Sequence, residues 1–284
     1  MFPSRIMQLP QFQVHADLEE RHWWFLGRRA IFRSLLMQAV PPANDRLILD
    51  VGCGTGGNTV AFRDLYTCVG IDPSLDAVTF ARQRFPGVEF RHGYAPQDCR
   101  DLLARADAVL FLDVLEHVQD DFALVSQLLA GMKPGAYLFI AAPGDPDLWG
   151  PHDRGFEHER RYSLQRFRML WEGLPVEECV CSGLNARLYP IAKLSRFFSR
   201  LRGKALGSGD TDLSLPSAPV NALLFRIFAG ESRRILRAWR KSGPPYRYGV
   251  SVFAVLRRGT QAVIPRTRPA DLPPDPRPWH VTRE

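Results

Sequence analysis

Cysteine is scarce and irregularly placed: Cys53, Cys68, Cys99, Cys179 and Cys181 are all that 284 residues contain. An odd number with no C-x-x-C spacing excludes a disulfide scaffold or a zinc site built on cysteine pairs, and fits reduced thiols in a cytoplasmic protein. No run of 18 uncharged apolar residues occurs, so no spanning helix is expected. The opening stretch MFPSRIMQLPQFQVHADLEE lacks the apolar core of a signal peptide, and export is not expected. Acidic residues thin out toward the end. Residues 1–186 hold 24 Asp and Glu against 18 Lys and Arg, whereas residues 187–284 hold 6 against 19. A half of net +13 behind one of net −6 points either to an anionic partner or to a solvated basic surface.

What the chain does have is enough apolar residue, 45%, to bury a full α/β core. RLILDV (46–51) is apolar throughout, as a parallel strand buried on both faces must be. TCVGID (67–72), VEFRHG (88–93), ADAVLFLD (106–113) and GAYLFIAAP (135–143) repeat the pattern, with helical periodicity between them. Such alternation predicts a doubly wound parallel sheet. SLQRFRMLWEGL (163–174) reads as a helix and VEECVCSGL (176–184) as a sixth strand. YGVSVFAVLRR (248–258) reads as the last strand. Residues 1–40 are expected to form a helical lid and 185–247 a basic helical insertion. The tail over 259–284 is expected to be disordered, with prolines at 265, 269, 273, 274, 276 and 278.

The first strand runs into LILDVGCGTGG, with glycines at 52, 54, 56 and 57. Gly52, Gly54 and Gly57 match a dinucleotide fingerprint, and Asp72 follows twenty residues after Gly52, where a carboxylate can accept both hydroxyls of an adenosine ribose. Asp50 argues against a dinucleotide, because a carboxylate two residues ahead of Gly52 would repel a pyrophosphate. It would attract a ligand with an ammonium and a sulfonium, as in S-adenosylmethionine. No Lys follows the glycines, which excludes a P-loop.

ILDVGCGTGG, VGIDPS, FLDVLEHV and KPGAYLFIAAP together resemble a class I S-adenosylmethionine-dependent methyltransferase over residues 46–184 and 248–258. The resemblance implies a Rossmann-like α/β fold with a seven-stranded sheet whose last strand is antiparallel. It implies the cofactor S-adenosylmethionine, held by Asp50, Gly52, Gly54, Gly56, Asp72 and Asp113. HWWFLGRR (22–29) and HDRGFEHERRYS (152–163) resemble a bacterial group of such enzymes, similar to ubiquinone-pathway O-methyltransferases. Tyr94 stands where the family often has an acid for the adenine amino group.

In LDVLEHV, Asp113, Glu116 and His117 fall at i, i+3 and i+4 and could face one cleft. Three roles compete. His117 could be a general base. The trio could bind a divalent metal, because an acid-x-x-Glu-His motif does so in ubiquinone-pathway and small-RNA 2′-O-methyltransferases. Or the trio could only hold the turn. His152, with Asp153, His158, Arg160, Arg161 and Tyr162, lies in the loop after the fifth strand, above the pocket. His152 is a second candidate base, and the Arg pair would suit an acidic acceptor, unless it pins the loop to Glu157 and Glu159. The Trp and Phe residues of HWWF read either as packing or as a binding surface, and Arg28 and Arg29 could reach the cofactor carboxylate.

Two amphipathic stretches complete the pattern. RLYPIAKLSRFFSRLRGKA sets Lys193, Arg196, Arg200 and Lys204 beside Ile191, Leu194, Phe197, Phe198 and Leu201. NALLFRIFAGESRRILRAWRK sets Arg226, Arg233, Arg237 and Arg240 against Leu224, Phe228, Ile235 and Trp239. Either could lie in an anionic membrane surface or pack on its own domain. The expected function is O-methylation of a small-molecule or lipid-linked acceptor, in the cytoplasm or peripherally on the inner face of the membrane. The alternatives are an RNA methyltransferase tracking phosphates with the basic insertion, or a catalytically silent cofactor-binding module.

Overall fold

The computed structural model describes residues 9–202 and 214–275. Its sheet has seven strands: β1 (Leu47–Val51), β2 (Thr67–Asp72), β3 (Glu89–His92), β4 (Ala108–Leu112), β5 (Tyr137–Pro143), β6 (Val176–Leu184) and β7 (Ser251–Arg258). They lie in the order β3-β2-β1-β4-β5-β7-β6. Every pair from β3 to β5 is parallel, and β7 runs antiparallel to both β5 and β6. All residues of β1 and β4 are buried, as their unbroken apolar sequence requires at the centre of a covered sheet. Asp50 is the polar exception in β1, and it stands at the carboxyl end where a cleft opens.

Two helical layers cover the sheet. On one side lie α1 (Leu9–Arg21) and α2 (Trp23–Ala39), and between β6 and β7 come α9 (Tyr189–Arg202), α10 (Ala218–Ala229) and α11 (Ser232–Trp239). The linking helices are α3 (Gly57–Val60), α4 (Leu75–Arg84), α5 (Arg100–Leu103), α6 (Asp121–Gly131), α7 (Pro151–Gly155) and α8 (Leu164–Arg168). Phe122, Val125, Leu128 and Leu129 of α6 pack on Val109, Phe111, Leu138 and Ile140. On the opposite face Ile31, Phe32 and Leu35 of α2 join Phe139 and Phe253, with the Phe32 and Phe253 rings edge to face at 5.9 Å.

Three sequence readings are decided or changed by the fold. The helix expected over 163–174 stops at Arg168, and the rest is turn, with Gly173 in the left-handed region at a φ of 75°. The apolar face of the second amphipathic stretch is turned inward, with Phe228 and Ile235 fully buried against α2 and the sheet. Lys204 and the glycine-rich segment through Asp212 lie outside the described residues, as do the side chains of Phe197, Phe198, Arg200 and Leu201.

The third change concerns the tail. Residues 259–275 form no helix or strand but are packed rather than disordered. Val263 is buried, the Arg266 amide donates to Ser126 Oγ at 2.9 Å, and Asp275 ion-pairs with Arg160, Arg166 and Arg268, each at 2.8 Å. Proline content misled here because a proline-rich segment can be held by side-chain pairs without any ladder. Residues 276–284 lie outside the described residues. Replacing Asp275 by Ala would leave Arg160 and Arg166 to share Asp121 alone, and losing hydrogen bonds to a charged group costs about 1.5–3 kcal/mol. Urea unfolding should show that loss, and an unchanged midpoint would return residues 259–275 to an unpacked tail.

Candidate functional site

The glycine loop is shaped by its acids. The Asp72 carboxylate, at the end of β2, accepts the Gly54 amide at 2.9 Å and the Ser74 amide at 2.8 Å. Each of its oxygens keeps a further lone pair for a ligand hydroxyl. Gly52, Gly54 and Gly56 have φ of 75°, 51° and 82°. At Gly54 a side chain would meet no atom within 4 Å, so the residue is required by its backbone conformation and leaves open space for a ligand. A Cβ at Gly56 would instead strike the Phe90 ring at 2.7 Å. Asp50 is buried and accepts the Thr59 hydroxyl at 2.6 Å. Burial pushes its pKa up to about 6, against the opposing pull of that hydrogen bond and of Arg28.

Asp113 lies just past β4 with a φ of 57°, a left-handed conformation that non-glycine residues adopt sparingly and often at functional sites. Its carboxylate ion-pairs with Arg28 of α2. Arg28 is buried, stacks over the Trp24 ring at 4.2 Å, and its charge also bears on Asp50 and Glu116. HWWF therefore does structural work around a charged group. His22 caps α2, accepting the Trp24 amide at 3.3 Å, Trp23 meets Phe228 edge to face, and Trp24 holds the guanidinium. From α1, Glu19 reaches the loop, accepting the Thr55 hydroxyl at 2.6 Å and pairing with Arg84 at 3.1 Å. A side chain at Gly57 would meet that carboxylate at 2.5 Å.

Glu116 and His117 sit in a single 3-10 turn, Leu115–His117, rather than one turn into a longer helix. Their partner is His158 of the loop after β5: ligand atoms of Glu116, His117 and His158 lie within 4.8 Å of one another, a spacing that could hold a metal ion. Asp113, expected in that trio, turns to Arg28 instead. Glu116 is buried with Oε2 lacking a hydrogen-bond partner, and burial together with Asp113 holds its carboxyl well above the usual range. His117 is exposed at the rim, yet the protein packed around its ring and the neighbouring His158 bring its pKa down to about 4. The His117 and His158 rings meet edge to face at 4.9 Å, and His152 stands 5.9 Å from His158.

The loop beneath them is held by charge. Asp153 is fully buried and accepts from the Gly150 amide at 2.8 Å, His158 Nδ1 at 3.0 Å and Arg161 Nε at 2.7 Å. Burial would raise its pKa, but the His158 hydrogen bond and the Arg161 charge outweigh it and hold the carboxylate well below its usual range. Because a carboxylate accepts, His158 carries its proton on Nδ1, which leaves Nε2 as the basic or metal-binding atom. Arg161 also donates to the Gly144 carbonyl, and Arg160 to the carbonyls of Leu115, Val118 and Gln119. Both are buried, so the Arg pair is occupied in pinning the loop and is not presented to an acidic acceptor. The carboxylates engaged are Asp153, Asp121 and Asp275, in place of the sequence neighbours Glu157 and Glu159.

Past β3, Tyr94 is exposed and its amide donates to Asp98 at 2.7 Å. An acid thus stands beside the position where the family motif is broken, brought back by a turn four residues long. Neither Asp98 nor the Asp153–His158 pair carries a local sequence signal beyond being acids and histidines in loops at strand ends. Glu19 lies in α1, three residues ahead of HWWFLGRR, with no motif of its own.

The sequence and the fold both have known relatives. A probable S-adenosylmethionine-dependent methyltransferase of Mycolicibacterium smegmatis is 28% identical over 128 residues, covering 44% of this chain and 48% of the relative. A trans-aconitate 2-methyltransferase of Azoarcus is 29% identical over 136 residues, covering 45% and 51%. The match to each spans about half the relative's length. Among solved structures, the plantazolicin methyltransferase BamL, in complex with a triazolic desmethylPZN analog and SAH, shares the fold with a TM-score of 0.52 at 14% identity, over 89% of this chain and 91% of that one. Residues 23–187 match the family described as Methyltransferase domain. The chain belongs to that family and carries a class I S-adenosylmethionine-dependent methyltransferase domain.

Proposed function

We propose that the protein transfers the methyl group of S-adenosylmethionine to an oxygen of a small-molecule or lipid-linked acceptor, in the cytoplasm or at the inner face of its membrane. The observation that carries this reading is the meeting of an acidic cleft (Asp50, Asp72, Asp113) with the histidine cluster at its edge. Asp72 takes the ribose hydroxyls. Asp50 and Asp113 face the ammonium and sulfonium, and Arg28 turns from Asp113 to the cofactor carboxylate. The glycines at 52, 54 and 56 let the ligand lie against the backbone. The relative named trans-aconitate 2-methyltransferase supports a small-molecule acceptor.

The reaction needs positioning more than activation, because a sulfonium is already a good leaving group. A lone pair of the acceptor oxygen forms the new C–O bond as the C–S bond breaks, and S-adenosylhomocysteine departs. The acceptor's proton passes to an imidazole. His117 and His152 are candidate bases, and His158 joins them because Asp153 fixes its tautomer and leaves Nε2 free of that bond. A metal reading is supported by the same cluster. Glu116, His117 and His158 would hold a divalent ion, with Asp153 orienting His158 from behind, and the ion would polarise the acceptor oxygen. Incubation with methyl-labelled cofactor and separate lipid, RNA and metabolite extracts tests the acceptor class. Label in RNA alone, or in no fraction, would overturn it.

The cofactor site makes a pH prediction. With its pKa near 6, Asp50 is ionised at neutral pH and protonated below it. A cationic ligand favours the ionised form, so binding expels the proton and affinity falls as pH drops through about 6. Calorimetry should show that fall for the parent and a flatter profile for Asp50→Asn. Asp72→Ala should lose about 1.5–3 kcal/mol of cofactor affinity at neutral pH. Unchanged binding in Asp72→Ala would remove the ribose contact.

The chemistry makes another. Ala in place of His158, His117 or His152 should lower turnover by about 10²–10⁴ at whichever is the base, with cofactor affinity preserved. Activity lost to a chelator and restored by magnesium would decide for the metal. Near-parental turnover in all three variants, insensitive to chelator, would place the proton acceptor elsewhere.

A further inference from the structure

The carboxyl-end face of the sheet bears most of the exposed apolar surface. Of the large apolar side chains exposed among the described residues, Met37 and Ile264 lie toward the opposite end. Leu75 and Tyr94 follow the ends of β2 and β3. Ile191 and Leu194 of α9 are 66% and 57% exposed, and Tyr248, ahead of β7, is 55% exposed. Register places them there: Leu184, the last residue of β6, pairs with Ser251, which pairs with Pro143 at the end of β5. Val220 and Leu223 of α10 are exposed on the same side. Between them Asn221 accepts the Trp23 amide at 2.9 Å and so sits at the start of α2, the end from which Arg28 reaches Asp113.

We infer that this rim, formed by α9, Tyr248 and the first half of α10, is the surface by which the protein rests on an anionic lipid membrane. The inference deepens the lipid-linked reading of the acceptor and rests on it for its purpose. Charge favours lipid of that sign. Residues 185–248 hold 13 Lys and Arg against 3 Asp and Glu. Arg226 and Arg247 are exposed with no carboxylate partner among the described residues. A rim of isoleucine, leucine and tyrosine beside such cations matches an interface of acyl chains under anionic headgroups. Tyr189, Pro190, Leu194 and Tyr248, with Lys193 at the edge, line a shallow groove of about 450 Å³, with the two tyrosine rings 5.1 Å apart. Its walls are almost wholly apolar, which suits an acyl chain and gives a nucleic-acid backbone nothing to bind. Lys193 is already neutralised by Asp145 at 3.1 Å and Asp147 at 3.3 Å, so the attraction falls to the arginines.

The rim is fastened to the site. Tyr189 donates its hydroxyl to Asp145, two residues past the end of β5, at 2.6 Å. The Arg196 guanidinium lies 2.7 Å from where a Cβ on Gly150 would be, and the Gly150 amide is bound by Asp153. A surface touching α9 is therefore adjacent to the loop that carries His152 and His158, and an acceptor held at the membrane would have a short path to the cluster.

The test uses the full chain with vesicles of phosphatidylglycerol mixed with phosphatidylcholine, and with phosphatidylcholine alone. Co-sedimentation is expected with the acidic vesicles at low salt. It should weaken as the screening length falls from about 10 Å at 0.1 M salt to about 3 Å at 1 M. The double variant Ile191→Ser, Leu194→Ser should reduce the bound fraction about tenfold while leaving cofactor affinity unchanged, since both side chains are exposed and outside the cofactor cleft. A parent protein that stays in the supernatant overturns the inference. So does a double variant that binds like the parent, or RNA that displaces the protein from acidic vesicles. Vesicle binding without label entering the lipid extract would withdraw the lipid-linked acceptor and keep the docking surface.

Discussion

The structure depends on a cluster of carboxylates in one poorly hydrated cleft. Asp50, Asp72, Asp113 and Glu116 converge where β1, β2 and β4 end, and burial raises the pKa of Asp50, Asp72 and Glu116. Such a group of acids is stable only with a cation among them or with protons on some of them. Here Arg28 is that cation, paired with Asp113 and acting on Asp50 and Glu116. The amino-terminal helices are accordingly tied to the cleft, with Trp24 backing the guanidinium and Glu19 closing on the glycine loop. A ligand carrying its own positive centres would take over this compensating role, which links cofactor binding to the position of α2.

The histidine cluster is supported by a second set of charges, arranged with the opposite economy. Arg160, Arg161 and Arg166 are spent on carbonyls and on Asp121, Asp153 and Asp275. None of that set faces the cleft as a free charge. The result is a stiff platform under His158, reached from α6, from the loop after β5 and from the carboxyl-terminal segment together. Rigidity of this kind suits methyl transfer, whose main demand is alignment of the acceptor atom with a carbon–sulfur bond.

The exposed rim and the buried insertion show how one charge pattern can have two outcomes. Both amphipathic stretches carry basic residues beside apolar ones. In α10 and α11 Phe228 and Ile235 complete the layer against α2, whereas Ile191 and Leu194 of α9 stay largely exposed. The difference lies in what stands opposite each helix, and hydropathy along the chain carries no information on that.

The sequence by itself determined the sheet and its strand order class, and it singled out Asp50 and Asp72 as candidate acids at the strand ends. Strands such as Leu47–Val51 and Ala108–Leu112 fall within their apolar runs because a covered sheet must bury both faces of its central strands. Asp50, Asp72 and the glycines stand out in the sequence because the pattern they form spans only a few residues at strand ends. Tertiary structure alone decided the rest: that Asp113 pairs with Arg28 across 85 residues, that His158 and not Asp113 completes the cluster with Glu116 and His117, and that Asp275 anchors the tail on Arg160 and Arg166. The physical reason is the range of the interaction. Periodicity and turn chemistry act between neighbours in the chain, whereas an ion pair acts between neighbours in space, and its partners are chosen by the fold that brings them together.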